Sequence, residues 1–278
     1  MSHNSSSLIK SIDVVQQVGE HQEISHLCFD SRQAKSGSLF FAIPGTQVDG
    51  HQFLPQVFAQ GCTACVVEHL PEEIPVGILC IQVRDSNEAM ALIASAFYGN
   101  PSTQLNLVGI TGTNGKTTVA TLLFKLFSAL GYQCGLVSTV QNQIGETIIP
   151  STHTTPDALN LNKLLAEMRS NGCSFVFMEV SSHAVDQRRI AGVPFTGGVF
   201  TNITHDHLDY HKTFDNYIKA KKRFFDELPA DAFAVTNKDD RNGMVMLQNT
   251  KAMRYTYAMK QPADFTVKVS EHDFTGMQ

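Results

Sequence analysis

No apolar run in the 278-residue chain approaches the roughly 18 to 20 residues that a membrane-spanning helix requires. Residues 1–7 are polar and rich in serine, and they lack the apolar core of a secretory signal peptide. Basic residues are not in excess either, because 21 lysines and arginines face 26 acidic residues and the formal charge is −5. The sequence therefore predicts a cytoplasmic protein that contacts no membrane and is no general binder of nucleic acid.

The six cysteines do not form a recognisable metal-binding pattern. Cys62 and Cys65 have the C-x-x-C spacing that occurs in zinc and redox sites. No second pair follows, and the surrounding residues read as a helix end that leads into a buried strand. Ordinary buried thiols in a reducing compartment are the favoured interpretation, and a metal or redox site is the alternative.

Length and patterning indicate two domains. Residues 1–102 mix short β-like runs with helical stretches, and they end in the turn-rich segment Gly99–Ser102, which is typical of a domain boundary. Residues 103–278 alternate strands and helices, which predicts an α/β domain with a parallel sheet and helices on both faces. One helix is expected to begin at Pro156 with Thr155 as its N-cap. Ligands of such sheets bind beyond the carboxyl ends of the strands.

A glycine loop follows the first predicted strand of the second domain and precedes a helix. It reads Gly112-Thr113-Asn114-Gly115-Lys116-Thr117-Thr118. Backbone N–H groups in such a loop bind phosphate, while Lys116 would reach the terminal phosphates and the Thr117 hydroxyl would bind magnesium. The usual spacing requires glycine five residues before Gly115, where this chain has Ile110. The loop therefore predicts a shortened ATP and magnesium site, with a helix-capping turn as the alternative.

Possible metal ligands follow two later strands. Glu179 ends an apolar strand, where a carboxylate is a natural magnesium ligand, although by itself it could equally be a surface charge. The run Thr204–His211 contains three histidines and two aspartates, but no separated partner pair completes a structural zinc site. A magnesium-associated site is favoured in this run. His205 and His211 themselves are expected to be solvated side chains of a polar loop.

Lys221 lies on a helix predicted over residues 214–228. Ile218, Phe224 and Phe225 are spaced to share its face, so the lysine falls among apolar neighbours. A partly buried lysine has a lowered pKa and a reactive neutral amine. Spacing alone favours the simpler interpretation, in which the aliphatic stem packs and the ammonium group reaches water.

Together these motifs resemble the Mur ligases, the ATP-dependent amide-forming enzymes of peptidoglycan precursor synthesis, and among them the MurE type. The resemblance rests on the segments Gly109–Thr118, Glu179–His183, Asp206–His211 and Ala220-Lys221. Asp30-Ser31-Arg32 and the glycine-rich segment Gly37–Gly50 extend it through the first domain. It implies a UDP-binding α/β domain in residues 1–102 and an incomplete central ATPase domain in residues 103–278. A C-terminal ligase domain is expected to be absent, so the chain is expected to be a fragment without ligase activity of its own.

The resemblance also implies roles for single residues. Contacts to uridine diphosphate would come from Ser31, Thr46, Gln47 and Val48. Contacts to the UDP-muramoyl-peptide would come from Thr154, Thr155, Ser181, Gln187 and Arg189. Lys221 would be carbamylated and would hold magnesium together with Thr117, Glu179 and His207. The catalytic residues would then be Lys116, Lys221 and His207.

By the same resemblance, the activity is the ATP-dependent addition of lysine or meso-diaminopimelate to UDP-N-acetylmuramoyl-L-alanyl-D-glutamate through an acyl phosphate. A monomeric enzyme that serves cell-wall synthesis, and through it cell shape and division, is expected. Two alternatives remain open. One is a ligase similar to folylpolyglutamate synthase, and the other is a non-catalytic binder of a nucleotide or a UDP-sugar.

Overall fold

The computed structural model describes residues 2–45, 48–151, 153–206 and 208–268, together with the backbone of 272–273 and 276–277. The chain divides into two compact units. The first comprises Met1–Pro101, Pro156–Glu167 and Gln187–Val193, and the second comprises Ser102–Thr155, Met168–Asp186 and Pro194–Gln278. Two segments of the first unit, Pro156–Glu167 and Gln187–Val193, therefore lie more than fifty positions beyond the predicted domain boundary at residue 102. The assignment of UDP and ATP binding to the two domains remains a prediction.

The first unit contains short strands and helices, in line with the mixture of β-like and helical runs in its sequence. The strands are β1 His3–Asn4, β2 Gln16–Val18, β3 Glu23–Ile24, β4 His26–Cys28, β5 Ser38–Phe41, β6 Ala64–Val67 and β7 Leu79–Gln82. The helices are α1 Ser5–Leu8, α2 Leu54–Ala59 and α3 Ser86–Phe97. A five-stranded sheet has the order β2-β7-β6-β5-β4, in which only β2 runs antiparallel to its neighbour. A separate antiparallel pair joins β1 and β3.

The five-stranded sheet buries apolar side chains on both faces. Strands β5 and β6 are buried at every position, as expected for parallel strands that are covered on both sides. One face, which includes Leu39 and Ile81, packs in a core with Ile93 of α3. The opposite face presents Phe40 and Cys65 to a second core. All six cysteines are buried and form no disulfide, as expected for thiols of the core, and the interpretation of Cys62 and Cys65 as ordinary core thiols stays a prediction.

The second unit is built on a nine-stranded sheet. Its strands are β8 Asn106–Thr111, β9 Cys134–Val137, β10 Gln141–Ile144, β11 Thr147–Pro150, β12 Phe175–Glu179, β13 Gly197–Phe200, β14 Phe233–Asn237, β15 Met253–Ala258 and β16 Phe265–Thr266. They lie in the order β11-β10-β9-β12-β8-β13-β14-β15-β16. All neighbours are parallel except the hairpin β10–β11 and its junction with β9. The α/β architecture with predominantly parallel sheets is therefore confirmed.

Helices connect these strands. They are α4 Lys116–Ala129, α5 Ala158–Ser170, α6 Ser182–Asp186, α7 Leu208–His211, α8 Phe214–Asp226 and α9 Gly243–Met246, and a last short strand pair joins β17 His272–Asp273 to β18 Gly276–Met277. Helix α5 begins two residues later than expected from Pro156. Its cap is Asp157, whose Oδ1 accepts the backbone N–H groups of Leu159 and Asn160, each at 3.0 Å. The prediction of Thr155 as the N-cap was therefore wrong.

The position of β8 decides where the site forms. This strand lies between β12 and β13 in the interior of the sheet. The parallel register pairs Glu179 with Ile110 and Phe200 with Thr111, so the carboxyl ends of three strands lie side by side. Residues that follow these ends are brought together although they are far apart in sequence. Within the described residues, no helix is long and apolar enough to cross a membrane.

Candidate functional site: a phosphate loop beside a buried lysine

The glycine loop begins where β8 ends, and its first residue must be glycine. Gly112 has a φ of 150°, and a Cβ there would overlap the Thr201 hydroxyl and lie 2.9 Å from the Asn202 carbonyl oxygen. Gly115 has a φ of 84° and forms the N-cap of α4. Two glycines with positive φ therefore turn the chain from the strand into the helix, whose first residue is Lys116.

Residues beyond the end of β13 hold this loop in place. The backbone N–H of Thr113 donates to the Asn202 carbonyl oxygen at 2.8 Å, and the N–H of Asn114 donates to Asn202 Oδ1 at 3.0 Å. The Thr201 hydroxyl donates to the Asn114 carbonyl oxygen at 2.7 Å. Sequence reasoning did not identify Thr201 and Asn202, because their role depends on β13 lying next to β8.

Two lysines converge on one carbonyl oxygen of the loop. The Nζ atoms of Lys116 and Lys221 lie 3.0 and 2.8 Å from the Gly112 oxygen, and Lys116 also donates to Thr113 at 2.8 Å. Burial lowers the pKa of Lys116, while the charges of Glu179 and Asp206 act in the opposite direction. Burial also lowers the pKa of Lys221 well below its usual value, and the nearby Lys116 charge adds to that effect. Burial and mutual repulsion therefore disfavour the presence of two full positive charges beside the loop.

Lys221 does not reach water. Its residue is only 1% exposed, and its ammonium group lies 4.7 Å from the centroid of the Tyr217 ring. The interpretation of a packed stem with a solvated head was therefore wrong. Helix α8 has a strongly one-sided apolar face, and the lysine lies on it together with Tyr217 and Phe224.

Tyr217 links the lysine helix to the phosphate loop. Its side chain is fully buried, and its hydroxyl lies 3.1 Å from Thr113 Oγ1. The same threonine oxygen accepts the backbone N–H of Thr204 at 3.0 Å. The sequence contained a signal for this residue, since Tyr217 precedes Lys221 by four positions and thus shares its face of α8.

Glu179 is buried at the end of β12 and is not a surface charge. It is 1% exposed, and its carboxylate accepts the backbone N–H of Thr139 at 2.8 Å and the Thr139 hydroxyl at 3.2 Å. That hydroxyl also lies 3.1 Å from Thr154 Oγ1. Thr155 donates to the Glu179 carbonyl oxygen at 2.8 Å and accepts the N–H of Ser181 at 3.2 Å. The structure thus brings Glu179 together with three of the residues predicted to bind substrate.

The histidine-rich run is only partly as expected. His211 is 6% exposed and its Nε2 lies 2.9 Å from the Ser182 hydroxyl, so the expectation of a solvated His211 was wrong. His205 is exposed, as expected, and stacks on Phe214 with ring centroids 4.3 Å apart. His207, predicted as a catalytic residue and metal ligand, lies outside the described residues.

The remaining predicted substrate residues belong to the first unit. Ser31 is buried at the start of a short 3-10 helix, and Val48 is exposed. Thr46 and Gln47 lie outside the described residues. Arg189 donates to Gln187 Oε1 twice, from Nε at 3.0 Å and from a terminal nitrogen at 2.6 Å, so these two side chains act as a pair.

The donor atoms near the loop fit magnesium better than a transition metal. Glu179 supplies carboxylate oxygens and Thr117 a hydroxyl oxygen, the hard ligands that magnesium prefers. In the described part of the chain, no group of three or more His, Cys, Asp or Glu is arranged to hold a metal ion.

In the second unit, an inner strand of a parallel sheet ends in a glycine loop, and the next helix begins with a lysine. This arrangement defines a phosphate-binding domain of the nucleotide-binding class. Comparison with known families agrees with this class. The Mur ligase middle domain matches residues 110–278, and the Mur ligase catalytic domain matches residues 23–98. The chain belongs to the Mur ligase family.

Individual proteins that resemble the chain indicate one type of ligase within this family. UDP-N-acetylmuramoyl-L-alanyl-D-glutamate–2,6-diaminopimelate ligase of Bacteroides thetaiotaomicron is 53% identical over 271 residues, which is 97% of this chain and 56% of that protein. The enzyme of the same name from Cytophaga hutchinsonii is 56% identical over 92% of this chain and 53% of its own length. A solved structure of such a ligase has a TM-score of 0.79 at 27% identity, and it covers 92% of this chain and 53% of its own. The chain thus spans about half the length of the curated relatives it matches.

Proposed function

We propose that the chain is the ATP-binding and UDP-sugar-binding part of an amide ligase of peptidoglycan precursor synthesis. The ligase adds a diamino acid to UDP-N-acetylmuramoyl-L-alanyl-D-glutamate. The names of the relatives favour 2,6-diaminopimelate over lysine as that amino acid. The observation that carries the proposal is the convergence of Lys116 and Lys221 on the Gly112 carbonyl oxygen at the end of β8.

The Lys116 ammonium group at a glycine loop suits phosphoryl transfer, because negative charge must be stabilised while the γ-phosphoryl group moves. A carboxylate oxygen of the dipeptide attacks the γ-phosphorus, and the bond to ADP breaks. The amine of the incoming amino acid then attacks the acyl carbon of the acyl phosphate, and inorganic phosphate leaves as the amide forms. In the first step Lys116 and the N–H groups at the start of α4 hold the transferred group.

Magnesium would be held by Thr117 and Glu179, and it would supply charge neutralisation for the phosphates. The Lys221 amine is proposed to add carbon dioxide and release a proton, which gives a carbamate. Burial supports this step, since it favours the neutral amine that reacts. The carbamate, with His207, would supply oxygen and nitrogen ligands that an ammonium group cannot supply.

Substrate contacts are proposed for the residues that the family resemblance indicated. Ser31 and residues 46–48 would hold uridine diphosphate. Further contacts to the muramoyl-dipeptide would come from Thr154, Thr155, Ser181, Gln187 and Arg189. The Arg189 guanidinium suits the dipeptide, because it forms charge-assisted hydrogen bonds with carboxylates.

Titration calorimetry of the chain with Mg-ATP and, separately, with UDP-N-acetylmuramoyl-L-alanyl-D-glutamate tests the proposal. Both ligands should bind, and Lys116→Met should abolish ATP binding while leaving the UDP-sugar unaffected. Lys125→Met on the exposed side of the same helix is the matched control and should bind both ligands normally. A wild-type chain that binds neither ligand contradicts the proposal.

The two alternatives predict different results. A ligase similar to folylpolyglutamate synthase would bind ATP but not the UDP-sugar. A non-catalytic binder would bind its ligand, but a full-length protein would ligate no amino acid to the dipeptide in the presence of ATP. We further expect the whole enzyme to be a cytoplasmic monomer whose product supports cell-wall growth, cell shape and division.

A further inference from the structure

The residue between the two predicted substrate contacts Gln187 and Arg189 has an unusual backbone. Arg188 has a φ of 57°, in the left-handed region that side chains other than glycine, asparagine and aspartate rarely adopt. Such a conformation persists only where surrounding contacts impose it, and it is found preferentially at functional sites. The contacts around Arg188 therefore need to be identified.

The side chain of Arg188 faces the first turn of α3. Its guanidinium lies 4.0 Å from Asp85 Oδ2 and 3.9 Å from Glu88 Oε2, and it is 22% exposed. Asp85 is itself fixed, because it caps α3 by accepting the N–H of Glu88 at 2.9 Å. The arginine thus forms two long ion pairs with the first turn of α3.

The same segment is attached to α3 a second time, further along the helix. The Ser95 hydroxyl lies 3.3 Å from the Gly192 carbonyl oxygen and 3.2 Å from Asn100 Oδ1, and Gly192 packs closely against Leu92. Between the two attachments the chain turns, since the N–H of Ala191 donates to the Arg188 carbonyl oxygen at 3.0 Å. Residues 187–193 therefore form a short segment that is clamped to α3 at both ends.

This arrangement separates two tasks among neighbouring residues. Arg188 points to α3, while Arg189 donates twice to Gln187 Oε1. We propose that Arg188 is a positioning residue, which holds the Gln187–Arg189 pair in the orientation that binds the carboxylates of the dipeptide. The inference rests on the proposed function of that pair. In this inference Arg188 does not touch the substrate. Its contact with α3 orients its neighbours Gln187 and Arg189, and these two residues bind the substrate.

Reversal of the Arg188 charge gives the sharpest test. Arg188→Glu would face Asp85 and Glu88 with a like charge, and we expect it to weaken binding of UDP-N-acetylmuramoyl-L-alanyl-D-glutamate about tenfold. The affinity for UDP alone should stay within about twofold. Adding Glu88→Arg to this variant restores an opposite-charge pair and should recover affinity to within about threefold of wild type. Arg84→Glu, an exposed arginine next to Asp85, is the matched control and should change neither affinity.

A second pair of variants tests the backbone. Arg188→Asn and Arg188→Val both remove the charge, but only the β-branched valine opposes the left-handed conformation. Binding of the dipeptide ligand should therefore be weaker in the valine variant than in the asparagine variant. Calorimetry with UDP and with the dipeptide ligand serves for all variants, and UDP binding reports that the unit is folded.

Three results would overturn the inference. In the first, Arg188→Glu binds the dipeptide ligand with wild-type affinity, and in the second, it loses equal affinity for UDP and for the dipeptide ligand. The third is that adding Glu88→Arg recovers no affinity for the dipeptide ligand. If wild type binds UDP but not the dipeptide ligand, the assignment of Gln187 and Arg189 fails together with the inference. If wild type binds neither, the proposed function itself is wrong.

Discussion

The ammonium group of Lys221 donates a hydrogen bond of 2.8 Å to the carbonyl oxygen of Gly112, 109 positions earlier in the chain. This contact joins the middle of α8 to the first residue of the phosphate loop. The same oxygen accepts a hydrogen bond from Lys116. A chemical change at Lys221 therefore acts directly on the loop, and this makes the state of that lysine the first property to measure.

Carbamylation of Lys221 can be observed directly. In ¹³C-labelled bicarbonate, the wild-type chain should show one carbamate resonance by ¹³C NMR, because a buried amine with a lowered pKa is partly neutral and reacts with carbon dioxide. Lys221→Met should remove this resonance. Lys219→Met, an exposed lysine on the same helix, should retain it. No carbamate in wild type at saturating bicarbonate, or one that persists in Lys221→Met, would show that Lys221 is not modified.

The Tyr217 hydroxyl is predicted to stabilise the loop. Tyr217→Phe removes the contact with Thr113 Oγ1 but keeps the ring beneath Lys221, so urea unfolding should show a loss of about 1 kcal/mol. In a double-mutant cycle with Thr113→Val, the coupling energy should be about 0.5 to 1 kcal/mol. Tyr132→Phe, at a half-exposed tyrosine, should leave the stability unchanged. Additive effects of the two loop variants would mean that the hydroxyls do not interact.

Local patterns in the sequence predicted most of the buried strands of both sheets. Helix α3 covers residues 86–97, where Asp85 is its N-cap and the apolar residues repeat with helical spacing. Helix α4 ends before Gly131, whose φ is 91°. The hairpin β10–β11 was missed, since β10 is largely polar and β11 is largely exposed. Neither strand has the apolar run that marks the buried parallel strands.

The candidate site was less predictable, because its contacts depend on strand order. Thr201 and Asn202 hold the loop only because β13 pairs with β8, and nothing near them in sequence indicates that pairing. The burial of Lys221 has a similar origin. Helical spacing placed it among apolar residues, but only the packing of α8 against the loop determines that its ammonium group is enclosed.

The cysteines are predicted to be inert in the folded chain. Burial raises the pKa of the Cys28 thiol to about 12 and that of Cys173 to about 11. The hydrogen bond from Cys65 lowers the pKa of Cys80, but all six side chains are buried and thus shielded from the reagent. Because the thiolate is the reactive form, a disulfide reagent at pH 8 should label fewer than about one thiol per native chain within minutes. All six should react in denaturant. Fast native labelling of Cys62 or Cys65 would instead support the redox interpretation of the C-x-x-C pair.

Two glycines separate the effect of backbone strain from that of crowding. Gly112 and Gly131 both have positive φ, but a Cβ on Gly112 would overlap Thr201 Oγ1, while a Cβ on Gly131 would meet nothing within 4 Å. Gly131→Ala should therefore cost about 1 kcal/mol in urea unfolding, from backbone strain alone. Gly112→Ala should cost at least about 2 kcal/mol, because strain and steric overlap add. It should also abolish ATP binding, since the loop must shift to admit the methyl group. The opposite result would be an equal loss of stability in the two variants with ATP binding intact. The loop would then tolerate a side chain at Gly112, and its close approach to Thr201 would not form the phosphate site.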